Sequence, residues 1–391
     1  MSQQLINRST DLKQLRDEGY EIVTKSGYLI VDHVPYVNSN REIKYGKLIS
    51  TLTINDDIVL KPDTHVIGFM GEYPCNKDGT IITAIQHANP NQSLFDGLII
   101  NFLFSNKPQN GYADYYQKVK RYAEIITDQA KSIDPKVTEK TFKVIMEKDD
   151  ESVFNYTDTN SSRANIFQIN AKFKGQRIGI IGLGGTGSYI LDCVAKTQVE
   201  EILLFDGDVF LQHNAFRSPG GASQENLSQQ HKKVDYLASI YSNMHKGIKA
   251  HAVYITEENI AMLVGLSYIF ICVDNNAARG IIISQLQKLG ITFIDAGLGV
   301  NIADNNLVGT LRVTVGTLTK NDHIPSRIGT VAIDDNEYAS NIQIADLNAL
   351  NALMAVIKWK KMIGFYQDLK GEYNSTYTIN TGQLINEDFA I

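Results

Sequence analysis

The stretch at 178–190, IGIIGLGGTGSYI, constrains this chain more than any other. A run of apolar, β-favouring residues meets Gly182, Gly184, Gly185 and Gly187, and a helix-compatible segment follows. The pattern reads as a buried strand entering a tight turn and then a helix, because glycine tolerates both the turn and a close backbone approach. The rest of the C-terminal half keeps the same rhythm. Strands are expected at 177–182, 201–206, 249–255, 268–274 and 292–295, with helices at about 186–198, 228–244, 257–265 and 276–289 between them. Strands alternating with helices predict an α/β fold, a Rossmann-like, doubly wound and mostly parallel sheet covered on both faces. Residues 308–315 read as an antiparallel addition, and a long helix at about 343–366 packs late.

Gly182-x-Gly184-Gly185-x-Gly187 contains G-x-G-x-x-G in the place where it has mechanical meaning. The first glycine permits the turn, the second lets the backbone approach a phosphate, and the helix N-terminus supplies its dipole and free N–H groups. Asp206 ends the next strand, about twenty residues on, where a carboxylate can accept hydrogen bonds from a ribose. Taken alone, the turn predicts a nucleotide and does not choose it. NAD or FAD for redox chemistry, ATP for adenylation of a carboxylate, and a purely structural turn all remain.

The residues that follow separate these readings. The chain continues DGDVFLQHNAFR at 206–217, QHKKVDYL at 230–237 and FICVDNNAAR at 270–279. Attack of a carboxylate on an α-phosphate builds charge, which Arg217 and Lys233 can neutralise while a divalent ion on Asp274 holds the leaving pyrophosphate. A dinucleotide redox site has no need of these groups. From about 155 to 391 the chain resembles the ThiF/MoeB/E1 superfamily, which adenylates the C-terminal glycine of ubiquitin-like proteins. The resemblance implies that Gly182, Gly184, Gly185, Gly187 and Ser188 form the phosphate turn. It implies that Asp206 and Asp208 form the D-x-D after the second strand, with Asp206 on the ribose. It also implies that Asn214 and Arg217 contact the triphosphate, that Lys233 opens the next helix onto the phosphates, and that Asp274 holds magnesium with Asn275 beside it. Arg163 matches an arginine that reaches into the partner subunit's site, so a homodimer is implied. The implied cofactors are ATP and Mg²⁺.

Two features of the superfamily are missing from the sequence. Its cysteines are Cys75, Cys193 and Cys272, and no C-x-x-C occurs, so neither a structural zinc nor a disulfide framework is expected. The region 317–341, where a crossover loop with a catalytic cysteine would lie, has none. Three routes remain: the enzyme stops at the acyl-adenylate, or uses a hydroxyl such as Ser326 or Thr330 beside His323 and Arg327, or uses Cys75. The first is favoured. The alternatives to adenylation are an NAD- or FAD-dependent oxidoreductase and a non-enzymatic nucleotide-binding scaffold.

Residues 1–146 form a separate, β-rich α+β domain by pattern, with strand-like segments at 28–31, 47–54, 65–70, 81–85 and 98–104 and a helix at 112–131. They resemble an uncharacterised bacterial domain fused ahead of ThiF-like modules, and the layout is compatible with an E2-like or acceptor-binding role. Asp63, His65, Cys75 and His87 are its candidate site; turn and strand-end hydrogen bonding is the plainer reading. The polar stretch 147–172 reads as a linker and arm, leaving 173–391 as the adenylation domain. A net charge of −6 argues against a nucleic-acid partner, and no apolar run approaches the ~20 residues that span a bilayer. The N-terminus lacks a signal-peptide layout, so a cytoplasmic location is expected. The helix at 343–366 carries Leu347, Leu350, Leu353, Met354 and Ile357 on one face, either a core face or a dimer interface.

Overall fold

The computed structural model describes residues 2–55, 58–95, 97–146, 152–164, 166–330 and 342–389. They divide into two compact units, Met1–Ile145 and Met146–Ile391.

The second unit is built on one sheet. Strands β1 (Arg177–Ile181), β2 (Glu201–Phe205), β3 (Ile248–His251), β4 (Tyr268–Ile271) and β5 (Phe293–Ala303) run parallel in the order β3-β2-β1-β4-β5. Then β6 (Asn306–Gly316), β7 (Glu372–Thr378) and β8 (Gln383–Phe389) extend it antiparallel. The parallel strands are apolar on both sides because both sides are covered. Ile178 and Ile180 pack with Leu191, Val194 and Trp359, whereas Ile181 packs with Ile271, Ile282 and Leu286 on the opposite face. Helices α1 (Gly185–Val194), α2 (Lys233–Tyr241), α3 (Asn276–Leu289) and α4 (Ala345–Met362) supply those layers. Strand order reverses between β1 and β4, the switch point at which doubly wound sheets hold ligands.

Several expectations shift. The helix expected at 228–244 is two, Gln224–Ser228 and α2, and 257–265 contains only the short turn Ile260–Leu263. The C-terminal hairpin β7–β8 was not anticipated: its polar sequence, EYNSTYT followed by QLINEDF, hides a strand pair that forms only by adding to the existing edge of β6. The helix expected at 343–366 is α4, but its register differs from the apolar stripe. Leu350, Leu353 and Ile357 are 36%, 45% and 46% exposed, while Asn348, Asn351, Ala352, Ala355, Val356 and Trp359 face inward. Among the described residues no helix is long and apolar enough to cross a membrane.

In the first unit an antiparallel sheet runs in the order Glu21–Lys25, Tyr28–Val37, Ile43–Thr51, Val66–Met70, Phe102–Ser105, Gln86–Ala88. Residues 81–85, expected as a strand, contain the short helical turn Thr83–Ile85 instead. The helix Tyr115–Lys131 starts where Asp114 accepts the Gln117 N–H at 2.8 Å, and it buries Tyr115, Val119, Tyr122 and Ile126 in the core. Lys118 on this helix is fully buried, and its Nζ donates to Ser50 Oγ at 2.9 Å. Burial pulls its pKa down from 10.5 to about 8. Because the unfolded chain holds this proton more tightly, stability rises with pH between about 8 and 10.5, and the penalty is complete below that window. Lys118→Met is therefore expected to stabilise the unit at pH 7 by roughly 2–3 kcal/mol, and to abolish that pH-dependent rise. Thermal melts of both proteins across pH 7–10.5 check it; an unchanged or lower Tm in the variant would refute it.

Candidate active site

A cavity of about 410 Å³ opens at the C-terminal ends of β1, β2 and β4, at the switch point. That size suits a small-molecule ligand. Its floor is the turn after β1. Gly182 has φ +88°, and a Cβ there would sit 2.6 Å from the Cys272 carbonyl oxygen. A Cβ on Gly187 would sit 1.9 Å from Gly182 O, so helix and turn touch through backbone alone. Gly184 differs: nothing lies within 4 Å of its Cβ position, and it borders the cavity. Gly184 is also the N-cap of α1, and no side chain caps the helix N–H groups. These are the properties of a phosphate cradle: tight packing behind the turn, open space and free donors in front of it. Ser188 does not join the cradle. It is fully buried and its hydroxyl donates to Gly185 O at 2.7 Å, inside the helix.

Asp206 and Asp208 divide their work. Asp206 is buried, and both its oxygens accept backbone donors, Oδ2 from Leu183 N at 2.7 Å and Oδ1 from Asp208 N at 2.8 Å. It ties the glycine turn to the end of β2. The Asp208 side chain is half exposed, forms an ion pair with Lys233 Nζ at 2.6 Å, and accepts a hydrogen bond from Tyr254. Burial pushes Asp208 up, but Lys233 and Tyr254 outweigh it and hold the carboxyl below its usual range. The same bond raises the Tyr254 phenol to about 12. Lys233 also lies 3.6 Å from Asp206 Oδ2, and with three N–H donors it retains capacity for a ligand. Tyr254 and Arg312 line the cavity, and neither stands out in the sequence. No local pattern marks Tyr254, which lies in the irregular chain after β3.

The Arg217 side chain lines the cavity and, among the described residues, forms no ion pair or hydrogen bond; its Nε is buried without a partner. Burial lowers its pKa, against the opposing pull of Asp274 and Asp208. Asn214 sits out of the cavity: its Oδ1 accepts Leu211 N at 2.9 Å and fixes the turn that presents Arg217. Asp274 is exposed at the cavity's edge, and Asn275 caps α3 by accepting Ala278 N at 2.9 Å. Among the described residues no group of three or more His, Cys, Asp or Glu could hold a metal alone. A single carboxylate beside a phosphate cradle fits Mg²⁺, which keeps several waters and shares phosphate oxygens. The backbone of Arg163 belongs to the short helix Thr159–Ala164, but its side chain lies outside the described residues.

The alternative nucleophiles are poorly placed. Cys75 is buried, donates to Tyr73 O at 3.4 Å, and burial raises its pKa. Cys272 borders the cavity, yet burial pushes its thiol far above the usual range. Ser326 Oγ donates to the His323 carbonyl at 2.8 Å, Arg327 pairs with Asp388 and Glu387, and Thr330 packs on Gly280. Residues 331–341 of the crossover region lie outside the described residues.

Sheet order, glycine turn and cavity together define a nucleotide-binding α/β domain. Residues 160–310 match the ThiF family and form a ThiF family domain; residues 10–159 match a domain of unknown function, DUF6791. The ThiF family is one of ATP-dependent, E1-like adenylyltransferases, and residues 160–310 are the part of the chain that matches it. Similar solved structures include MccB of E. coli with ATP (15% identity, TM-score 0.47, 60% of this chain and 72% of that one). PaaA follows at 16% identity and TM-score 0.44, covering 59% and 80%. The E. coli tRNA N6-threonylcarbamoyladenosine dehydratase TcdA follows at 19% and 0.39, covering 52% and 92%. No curated protein matches the chain by sequence.

Proposed function

We propose that the chain adenylates the C-terminal glycine carboxylate of a ubiquitin-like protein, using ATP and Mg²⁺, and releases the acyl-adenylate to an acceptor without an enzyme thioester. The observation that carries the reading is Arg217, a partly buried guanidinium whose side chain has no partner among the described residues, at the mouth of a phosphate cradle. A cation left unpaired in a cavity is stabilised by an anionic ligand, and a triphosphate is the anion that the glycine turn suits.

The chain's own groups take these roles. The N–H groups at Gly184–Thr186 hold phosphate oxygens. Lys233 and Arg217 neutralise the charge that grows as the carboxylate attacks phosphorus and pyrophosphate departs. Asp208, with its exposed side, is better placed than Asp206 for the ribose hydroxyls, while Asp206 positions the turn. Asp274 would hold the magnesium, and the ion would supply further charge neutralisation at the phosphates. With Cys75 buried and the Cys272 thiol held far above its usual range, neither cysteine is an activated nucleophile, and the acyl group stays on the nucleotide until an acceptor arrives. The first unit, Met1–Ile145, is the candidate acceptor-binding or E2-like module.

Incubation of the full chain with ATP, labelled pyrophosphate and a candidate ubiquitin-like protein should give label in ATP only when the protein's terminal glycine is intact. Exchange with no carboxylate donor, or none with any donor, would count against this assignment. A homodimer is also proposed, with Leu350, Leu353 and Ile357 at the interface. Sedimentation should show a dimer that Leu353→Glu converts to monomer; a monomeric wild type refutes it.

A further inference from the structure

Helix α4 brings a polar side chain beside the glycine turn at the cavity. Asn348 is 1% exposed, borders the cavity, and lies against Gly185, whose Cβ, if present, would fall 2.1 Å from Asn348 Nδ2. Its Oδ1 accepts the Thr186 hydroxyl at 3.0 Å, which fixes the orientation of the carboxamide. The Nδ2 then has no partner among the described residues. A buried N–H donor without an acceptor is costly, and native folds rarely keep one. Here it stands beside the uncapped N-terminus of the ten-residue helix α1 and the open space in front of Gly184.

We propose that Asn348 Nδ2 donates a hydrogen bond to a phosphate oxygen of the nucleoside triphosphate, completing the cradle from the far end of the chain; this rests on the ATP-dependent function proposed for the site. The donor is neutral and held in place by Thr186 before the ligand arrives, so it adds to Arg217 and Lys233 without adding to their mutual repulsion. It also accounts for the register of α4. The helix turns Asn348 and Asn351 inward and leaves Leu350 and Leu353 outward. Asn351 finds its acceptor in Gly297 O at 3.1 Å, and Asn348 finds its acceptor in the ligand.

Calorimetry on the full chain with Mg-ATP, AMP and adenosine tests the assignment. Asn348→Ala should weaken ATP by about tenfold, the worth of one hydrogen bond to a charged group. Asn348→Asp keeps the acceptor for Thr186 but puts a negative charge where the phosphate belongs. It should weaken ATP by about 10²-fold or more, with adenosine unchanged. Apo melting temperatures report folding, and if Asn348→Asp fails to fold, Asn348→Ala and Asn348→Ser carry the measurement. ATP binding within twofold of wild type in the folded variants overturns the proposal. So does an equal loss of adenosine, which marks a packing role, or an unchanged ATP affinity with a raised KM for the carboxylate donor. A wild type that binds adenosine but not ATP, or neither, overturns this proposal together with the proposed function.

Discussion

Arg217→Ala is expected to lower ATP–pyrophosphate exchange by about 10²-fold or more while leaving the melting temperature of the apo protein unchanged. Removing an ion-paired arginine strands its partner and destabilises a fold. The Arg217 side chain has no such partner among the described residues, and its Nε is buried without an acceptor, so its removal strands no ion-paired carboxylate. Its charge matters only once phosphates fill the cavity, and most once the departing pyrophosphate gathers charge. The loss should therefore appear mainly in kcat, with a smaller rise in KM for ATP. Asp274→Ala should lower exchange comparably and weaken the dependence on Mg²⁺. A variant of Arg217 that exchanges at the wild-type rate would falsify an adenylation mechanism in which this guanidinium neutralises the phosphates.

Gly187→Ala is expected to destabilise the second unit by roughly 3–5 kcal/mol, opposite in sign to the usual effect of alanine in a helix. Within a helix, alanine normally improves on glycine because it restricts the unfolded chain. At position 187 the added methyl carbon would lie 1.9 Å from Gly182 O and 3.4 Å from Cys272 Cβ. The first contact is backbone on a residue already at φ +88°, wedged against the end of β4, so neither side can yield cheaply. Gly184→Ala gives the contrast. Its methyl meets nothing within 4 Å, so the fold should be retained while ATP affinity falls by about 10²-fold, because the methyl occupies phosphate space. Thermal melts with ATP titration of the two variants separate the effects. Equal stability of Gly187→Ala and wild type would remove the argument that helix and turn meet through backbone alone.

The parallel core was legible because β1, β2 and β4 are continuous apolar runs, a pattern forced by burial on both faces. The hairpin β7–β8 was not legible. Its residues are half-exposed and polar, and the strands exist because β6 offers an unpaired edge. Helix α4 was found, but its stripe of leucines pointed the wrong way. A helical period says which residues share a face, not which face is turned inward, and two asparagines won the inward side through Thr186 and Gly297.

For the candidate site the same division holds. The sequence by itself determined the turn from Gly182 to Gly187, because the sterics of a strand entering a helix are local and only glycine satisfies them. It also brought forward Asp206, Asp208 and Asp274, which follow the ends of strands, and Arg217 and Lys233, which its resemblance to the ThiF/MoeB/E1 superfamily singled out. Only the tertiary structure decided that Asp206 is spent on backbone donors, that Ser188 and Asn214 face away, that Cys75 is buried, and that Tyr254 and Asn348 border the cavity. Asn348 lies 162 positions from Thr186. No local window of sequence contains both, and their meeting is fixed by how α4 packs on α1, a property of the assembled layers and not of either helix.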